Sequence, residues 1–284
     1  MRTIRTTDEL RAFLHNVRAE GRSVGLVPTM GAFHAGHEAL IRAAREANDV
    51  VVVSLFVNPT QFDDPNDLAA YPRTEADDAA RAQELGADLL FAPESLYAPD
   101  HVTTITVAGL GETLEGEDRG PGHFAGVCTV VAKLFNLVGP DTAYFGAKDA
   151  QQVAIVKRMV RDLDIPVRIE VIETVREPDG LALSSRNVRL AGEAREQALA
   201  LRAALAAAEQ AVEQGERDAD RVRDAALAAM QAYDVDPEYL AVVDPDSLSP
   251  LQTLNGRSLV AVAARVGGVR LIDNTLIQTP GDSS

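Results

Sequence analysis

The chain has 284 residues, 46% of them hydrophobic, and 43 acidic against 27 basic side chains give it a formal charge of −16. An acid excess of this size with no basic run excludes a general nucleic-acid binder, and the single cysteine, Cys128, excludes an internal disulfide framework. No apolar run reaches the ~18 residues that a membrane span needs, and Met1–Asp8 lacks the apolar stretch of a secretory signal, so a cytoplasmic protein of one large or two ordinary domains is expected.

In chain order, Val24–Val27 reads as a short buried strand, followed by an amphipathic helix from about His37 to Asn48. The near-continuous apolar run Val50–Val57 suits a central parallel strand buried on both faces. A helix is expected at about Glu75–Leu85, strands at Asp88–Phe91 and Thr103–Val107, and a helix at about Ala125–Val138. A strand at Thr142–Phe145, a helix at Ala150–Arg161 and a strand at Val167–Ile172 complete an α/β pattern: a Rossmann-like, doubly wound parallel sheet over residues 1–175. From about Gly192 an alanine-rich helical tract runs through Ala211, then a helix near Asp218–Tyr233 and strands at Tyr239–Val243, Leu259–Arg265 and Val269–Asp273. These suggest a smaller α+β domain over residues 176–284, with Gln278–Ser284 as a disordered tail.

The chemistry concentrates where strands give way to helices. His34 and His37 stand three residues apart at the expected start of a helix, where backbone N–H groups and the helix dipole attract an anion, and Gly31 and Gly36 let the backbone approach it. Zinc is the weaker reading of the pair, because no His-Glu-x-x-His motif and no third ligand stand nearby. Lysine occurs only at 133, 148 and 157, which makes Lys148 in Gly146-Ala147-Lys148-Asp149 a notable choice. The segment Arg176–Asn187 joins a Pro-Asp-Gly turn to Ser184-Ser185-Arg186, a set suited to clamping phosphate. Neither a P-loop nor a complete dinucleotide fingerprint is present.

Pro28-Thr29-Met30-Gly31 with His34-x-Gly36-His37, Phe56–Phe62, Tyr71-Pro72-Arg73-Thr74, Gly122–Val127, Tyr144–Gln152 and Arg176–Asn187 together resemble the pantoate–β-alanine ligase family of the His-x-Gly-His nucleotidyl-transfer superfamily. The resemblance is collinear over residues 24–187. It implies ATP-dependent condensation of pantoate with β-alanine through pantoyl adenylate, releasing pyrophosphate and AMP. By that resemblance His34, His37, Lys148, Ser184, Ser185 and Arg186 are catalytic, and Pro28, Thr29, Met30, Gly36, Gly146, Asp149 and Val175 bind ATP. Gln61, Gln152, Met30 and His123 would bind pantoate, Asp77 would bind Mg²⁺, and the protein would be a homodimer with no nucleic-acid or membrane partner. The chain departs from the family pattern at Ala147 and Ala150, where a glutamate and an aromatic are usual, at Gly120, which shifts the usual arginine to Arg119, and at Leu183 in place of methionine. The departures at Ala147 and Ala150 keep open the reading of a ligand-binding relic without turnover; a separate alternative keeps the fold but changes the acceptor, a nucleotidyltransferase that leaves the nucleotide on its product.

Overall fold

The computed structural model describes residues 1–62 and 65–279, in two units. The first comprises Met1–Gly146 with Ile155–Glu173; the second comprises Ala147–Ala154 with the chain from Thr174 onward.

The elements of the first part of the chain are β1 (Arg2–Ile4), α1 (Thr7–Ala19), β2 (Val24–Thr29), α2 (Ala35–Ala47), β3 (Val50–Leu55), α3 (Pro65–Ala70), α4 (Glu75–Glu84), β4 (Leu89–Phe91), α5 (Glu115–Arg119), α6 (Pro121–Val138), β5 (Thr142–Gly146), α7 (Ala150–Asp162) and β6 (Arg168–Ile172). The strands form one parallel sheet in the order β1-β4-β3-β2-β5-β6. Its centre is the pair of apolar runs β2 and β3, in register from Val24 opposite Val50 to Thr29 opposite Leu55. Parallel strands need helices on both faces, so such strands read as unbroken apolar sequence rather than as alternation. Helix α2 turns Leu40, Ile41 and Ala44 onto Val27, Val51 and Val53. Its C-terminus is pinned by Asn48, whose amide donates to Ala44 O (2.8 Å) and to the Tyr144 hydroxyl (2.7 Å). Gly25 makes room for that side chain: a Cβ there would lie 2.6 Å from Asn48 Nδ2.

Strand order reverses between β2 and β5, and in open α/β sheets ligands bind outside the carboxyl ends of the strands at such a point. The His-bearing turn follows the carboxyl end of β2.

Two features of this unit differ from the sequence reading. Thr103–Val107 is not a strand: the sheet edge beside β4 is already taken by β1, with Arg2 opposite Leu89, and the amide of Ile105 donates instead to Thr129 Oγ1 on α6 (2.9 Å). The N-terminal segment, read only for a signal peptide, supplies that strand and α1, which is capped by Thr6 and buries Leu10, Leu14 and Val17 at helical spacing.

In the second unit, α8 (Glu193–Gln197), α9 (Ala200–Glu213) and α10 (Ala219–Gln231) precede an antiparallel sheet of β7 (Pro237–Val243), β8 (Arg257–Val266) and β9 (Val269–Gln278). The expected helical tract from about residue 192 is present as two helices divided at Ala198–Leu199, where the amide of Leu199 bonds to Glu196 O, a tightening to i→i+3 pairing. Small residues on α9 (Ala204, Ala208) and α10 (Ala226) build a core with Leu205, Met230, Val260 and Val262. Gly267 and Gly268, at φ +54° and +77°, form the two-residue turn that joins β8 to β9. Strand β9 runs five residues beyond the expected Asp273, to Gln278, which pairs with Arg257. The expected disordered tail therefore begins too early. Thr279 is buried, with its hydroxyl on Gly256 O, while residues 280–284 lie outside the described residues.

Residues 147–154, which fall N-terminal to a division after 175, cluster with the second unit. Asn274 of β9 ties them there, its amide donating to the carbonyls of Ala147 (3.0 Å) and Lys148 (2.8 Å). Among the described residues no helix is long and apolar enough to cross a membrane.

Candidate active site

The turn between β2 and α2 is held through its backbone amides. Gly31 and Ala32 both adopt left-handed conformations, at φ +88° and +54°. The amides of Ala32 and Phe33 converge on one carboxylate, Asp78 of α4, at 2.9 and 2.8 Å. Consecutive backbone N–H groups in such a turn make an anion-binding concavity, and here the protein supplies the anion. Asp78 is only 3% exposed and also accepts from Thr74 Oγ1 (3.0 Å). The neighbouring Asp77, expected to serve Mg²⁺, is exposed on the same helix. Asp78 is an anchor of this turn that the sequence reading missed, although its spacing with Ala82 places it on the buried face of α4.

Beyond this anchor His34 is the N-cap of α2 and His37 is the third helical residue, and their rings complete a capping box. His34 Nδ1 accepts from Gly36 N (3.1 Å), and His37 Nδ1 accepts from His34 N (3.3 Å). In a neutral imidazole that accepts at Nδ1, the proton resides on Nε2. Both rings are thereby set as Nε2–H donors at a helix N-terminus, 4.2 Å apart between centroids. Gly36 is required by the close approach of the His34 ring, because a Cβ would lie 2.8 Å from Cε1.

A second cluster of the same unit surrounds Asn58, which is 1% exposed. Its Nδ2 donates to Gln61 Oε1 (3.0 Å) and to Gly126 O of α6 (3.1 Å). Its Oδ1 accepts from the hydroxyls of Thr60 (2.9 Å) and Tyr97 (2.9 Å). Gln61 Nε2 donates to the Met30 sulfur (3.1 Å), and His123 Nδ1 lies 2.8 Å from Gln61 O. A carbonyl can only accept, so His123 carries its proton on Nδ1, the opposite tautomer to His34 and His37. Burial raises the Tyr97 phenol above its ordinary range, against the lowering effect of its bonds to Thr60 and Asn58. Met30, Gln61 and His123, three of the expected pantoate residues, are thus brought together. Asn58 and Tyr97, which organise them, were not singled out in the sequence. Pro28 and Thr29 end β2, and the Thr29 hydroxyl donates to Ser54 O (2.7 Å).

In the second unit, Ala147–Asp149 is a 3-10 turn with Lys148 Nζ 3.8 Å from Asp149 Oδ1. The absence of longer side chains at 147 and 150 does not leave this turn without support, because Asn274 holds its carbonyls. Gln152 follows on α7, partly buried. Arg176 and Ala182 pair across a short hairpin, and Leu183 N donates to Val175 O (2.9 Å). The chain then enters a 3-10 turn, Ser185–Arg189, whose N-cap is Ser184: its Oγ accepts from Arg186 N (3.2 Å). Ser184 thus shapes the loop, while Ser185 and Arg186 sit half-buried on it. The loop is braced by Asn187, which donates to Glu177 Oε1 (2.7 Å), and by Arg195, which bonds Glu177 (2.7 Å) and Asp179 (2.6 Å). Arg119, out of family register, pairs with buried Glu115 within α5 (3.3 Å).

No group of three or more His, Cys, Asp or Glu among the described residues could hold a metal ion. Mg²⁺ commonly takes only one or two protein carboxylates and otherwise binds substrate phosphates and water, so a lone exposed carboxylate such as that of Asp77 is chemically compatible with it.

A parallel sheet that reverses at β2/β5, with paired imidazole donors on a helix N-terminus at the carboxyl end of β2, defines an α/β enzyme of phosphate chemistry. The family model for pantoate-beta-alanine ligase matches residues 2–276. The chain is 49% identical to the pantothenate synthetase of Moorella thermoacetica over 98% of its own length and 99% of that protein. It is 46% identical to that of Koribacter versatilis, over 100% and 98% respectively. Among solved structures, a pantothenate synthetase from Thermus thermophilus superposes with a TM-score of 0.91 at 47% identity, covering 97% of this chain and 99% of that one. A pantoate-beta-alanine ligase from Francisella tularensis, complexed with beta-gamma ATP and beta-alanine, gives 0.77 at 35% identity and 97% coverage of both. The chain belongs to the pantoate–β-alanine ligase family and is an amide-forming ligase of pantothenate biosynthesis.

Proposed function

We propose that the ligation runs in two steps on the residues described above. In the first, a pantoate carboxylate oxygen attacks the α-phosphorus of ATP, the bond from that phosphorus to the α,β-bridging oxygen breaks, and pyrophosphate leaves with its electron pair. In the second, the amine of β-alanine attacks the acyl carbon of pantoyl adenylate, AMP departs from that carbon, and the amine loses a proton. The observation that carries this reading is the double-histidine capping box, which fixes two Nε2–H donors at a helix N-terminus before substrate arrives. Nucleotidyl transfer needs little covalent help, so preset donors and charge supply most of the acceleration.

In this reading His34, His37 and Lys148 stabilise charge developing on the α-phosphate, and Ser185 and Arg186, on the loop shaped by Ser184, grip the β- and γ-phosphates. Pro28, Thr29, Met30, Gly36, Gly146, Asp149 and Val175 line the nucleotide, and Gln61, Gln152, Met30 and His123 receive pantoate. The Francisella protein, complexed with beta-gamma ATP and beta-alanine, supports the same two substrates here. Asp77 would hold Mg²⁺, which neutralises phosphate charge when bound. A cytoplasmic homodimer acting on small molecules alone completes the proposal.

The test is pantoate-dependent exchange of labelled pyrophosphate into ATP, with Mg²⁺ and without β-alanine. Exchange that requires pantoate, and that falls at least about 100-fold in His37→Ala and Lys148→Ala, is expected. Near-wild-type exchange in both variants would refute the assigned roles.

A further inference from the structure

Strand β9 carries an unusual polar break, Asp273-Asn274-Thr275, inside a strand whose register with β8 is continuous from Arg257 opposite Gln278 to Val266 opposite Val269. Successive side chains of a strand point to opposite faces, so Asp273 and Asn274 reach in opposite directions from one rigid support. Asp273 is 3% exposed and grips Arg176 with both oxygens, at 2.6 and 3.0 Å, while accepting from the backbone N–H of Asn274 (2.8 Å). Arg176 passes this hold on to the hairpin that leads to Ser184, through a bond to Gly180 O (3.0 Å). Asn274 spends both amide protons on two successive carbonyls, those of Ala147 and Lys148.

A buried charge in a sheet is poor stabilisation compared with an apolar residue of the same size, and an asparagine on a strand gains little by itself. What this pair does instead is fix two separate loops. A turn such as Ala147–Asp149 has few restraints of its own, and Ala147 and Ala150 add no polar or aromatic side chain to supply them. A site mounted on a strand is held more tightly than one mounted on a loop.

We propose that Asn274 is the positioning residue for Lys148, and that Asp273 does the same, through Arg176, for the loop carrying Ser185 and Arg186. Neither touches substrate; each acts through a group it holds. This rests on the reading that Lys148 and Arg186 handle phosphate, and the controls separate the two claims.

Exchange of labelled pyrophosphate into ATP is measured for Asn274→Ala, Lys148→Ala and the double variant, with thermal unfolding of each. Asn274→Ala is expected to lower kcat about 10- to 30-fold while KM for ATP moves less than about threefold, as misplacement of a group that acts in the transition state predicts. In the Lys148→Ala background the same change is expected to cost less than about twofold, because the group it positions is gone. A general structural weakening would lower both backgrounds alike, and that result overturns the proposal. So does an Asn274→Ala enzyme within about twofold of wild type beside an impaired Lys148→Ala. Asn274→Asp, of the same shape but without the amide protons, must reproduce the loss. Asp273→Asn paired with Arg186→Ala makes the corresponding cycle for the second arm, with the same expectation and the same refutation. An unimpaired Lys148→Ala or Arg186→Ala would instead strike down the underlying role of that residue, and its positioning partner with it.

Discussion

Replacing Asp78 by Asn changes almost no volume, yet it should disable the enzyme from a position that need never touch substrate. The carboxylate accepts two backbone amides and one hydroxyl at 2.8–3.0 Å in a 3% exposed site. Hydrogen bonds to a charged acceptor are worth about 1.5–3 kcal/mol each, and a buried donor left unmatched costs about 1–3 kcal/mol. Asparagine keeps one accepting oxygen and turns an N–H toward the other amide, so one bond is lost and the rest lose their charge assistance. A destabilisation of about 3 kcal/mol in urea unfolding is expected. The turn it releases contains Ala32 in the left-handed region, which costs about 1 kcal/mol to hold, and the next residues are Phe33 and the N-cap His34. Once unanchored, the cap should drift. A displacement of about 1 Å at a catalytic group costs on the order of 100-fold in rate. Pyrophosphate exchange should therefore fall about 100-fold in kcat, with the Mg²⁺ dependence unchanged because Asp78 binds backbone and not metal. Adding Ala32→Gly should restore about 1 kcal/mol of stability by relieving the left-handed alanine. Exchange within about threefold of wild type together with unchanged unfolding would refute the anchor.

Three further outcomes follow from the same geometry. Gly126→Ala would drive a methyl into the backbone of Thr60 and to 2.9 Å from Gln61 N, so KM for pantoate should rise at least about tenfold, and steady-state kinetics with an unchanged KM would contradict the role of the Asn58–Gln61 turn. Burial pushes the Cys128 thiol up to about 11, which leaves about one thiolate in a thousand at pH 8; a disulfide reagent should label the native protein orders of magnitude more slowly than the urea-unfolded chain, and equal rates would show that α6 is not packed as described. Paired hydrogen bonds from Arg81 hold the Glu38 carboxyl below its ordinary range, outweighing the desolvation that would raise it. A lowered folded-state value means that this contribution is present above about pH 4.3 and is lost as pH falls through the folded value, so Arg81→Gln should flatten the acid side of a urea-midpoint titration, and an unchanged acid limb would dismiss the pair.

What repeats over a few residues was legible in the chain without its fold. The apolar runs at 24–27 and, interrupted only by Ser54, at 50–57 mark the central strands, because a strand buried on both faces admits little else, and helical spacing of Leu40, Ala44 and Ala47 marks α2. His34 and His37 declared themselves through residue type and their position ahead of that helix. Weak local signals failed. Arg2–Ile4 is too short to show a period, and Thr103–Val107 has strand-like composition but finds the edge beside β4 already paired. Gln278 was assigned to a tail because the polar run Asp273-Asn274-Thr275 hides the strand that continues through it.

Packing had to choose which of two adjacent aspartates anchors the His-bearing turn, since Asp77 and Asp78 differ by one helical step and that step separates solvent from the buried face. Packing also set the tautomers of His34, His37 and His123, which depend on whether each Nδ1 meets an N–H or a carbonyl. The hold of Asn274 on Ala147 and Lys148 joins groups 127 and 126 residues apart in the chain, and no local pattern encodes a contact whose partners are backbone carbonyls available at every position.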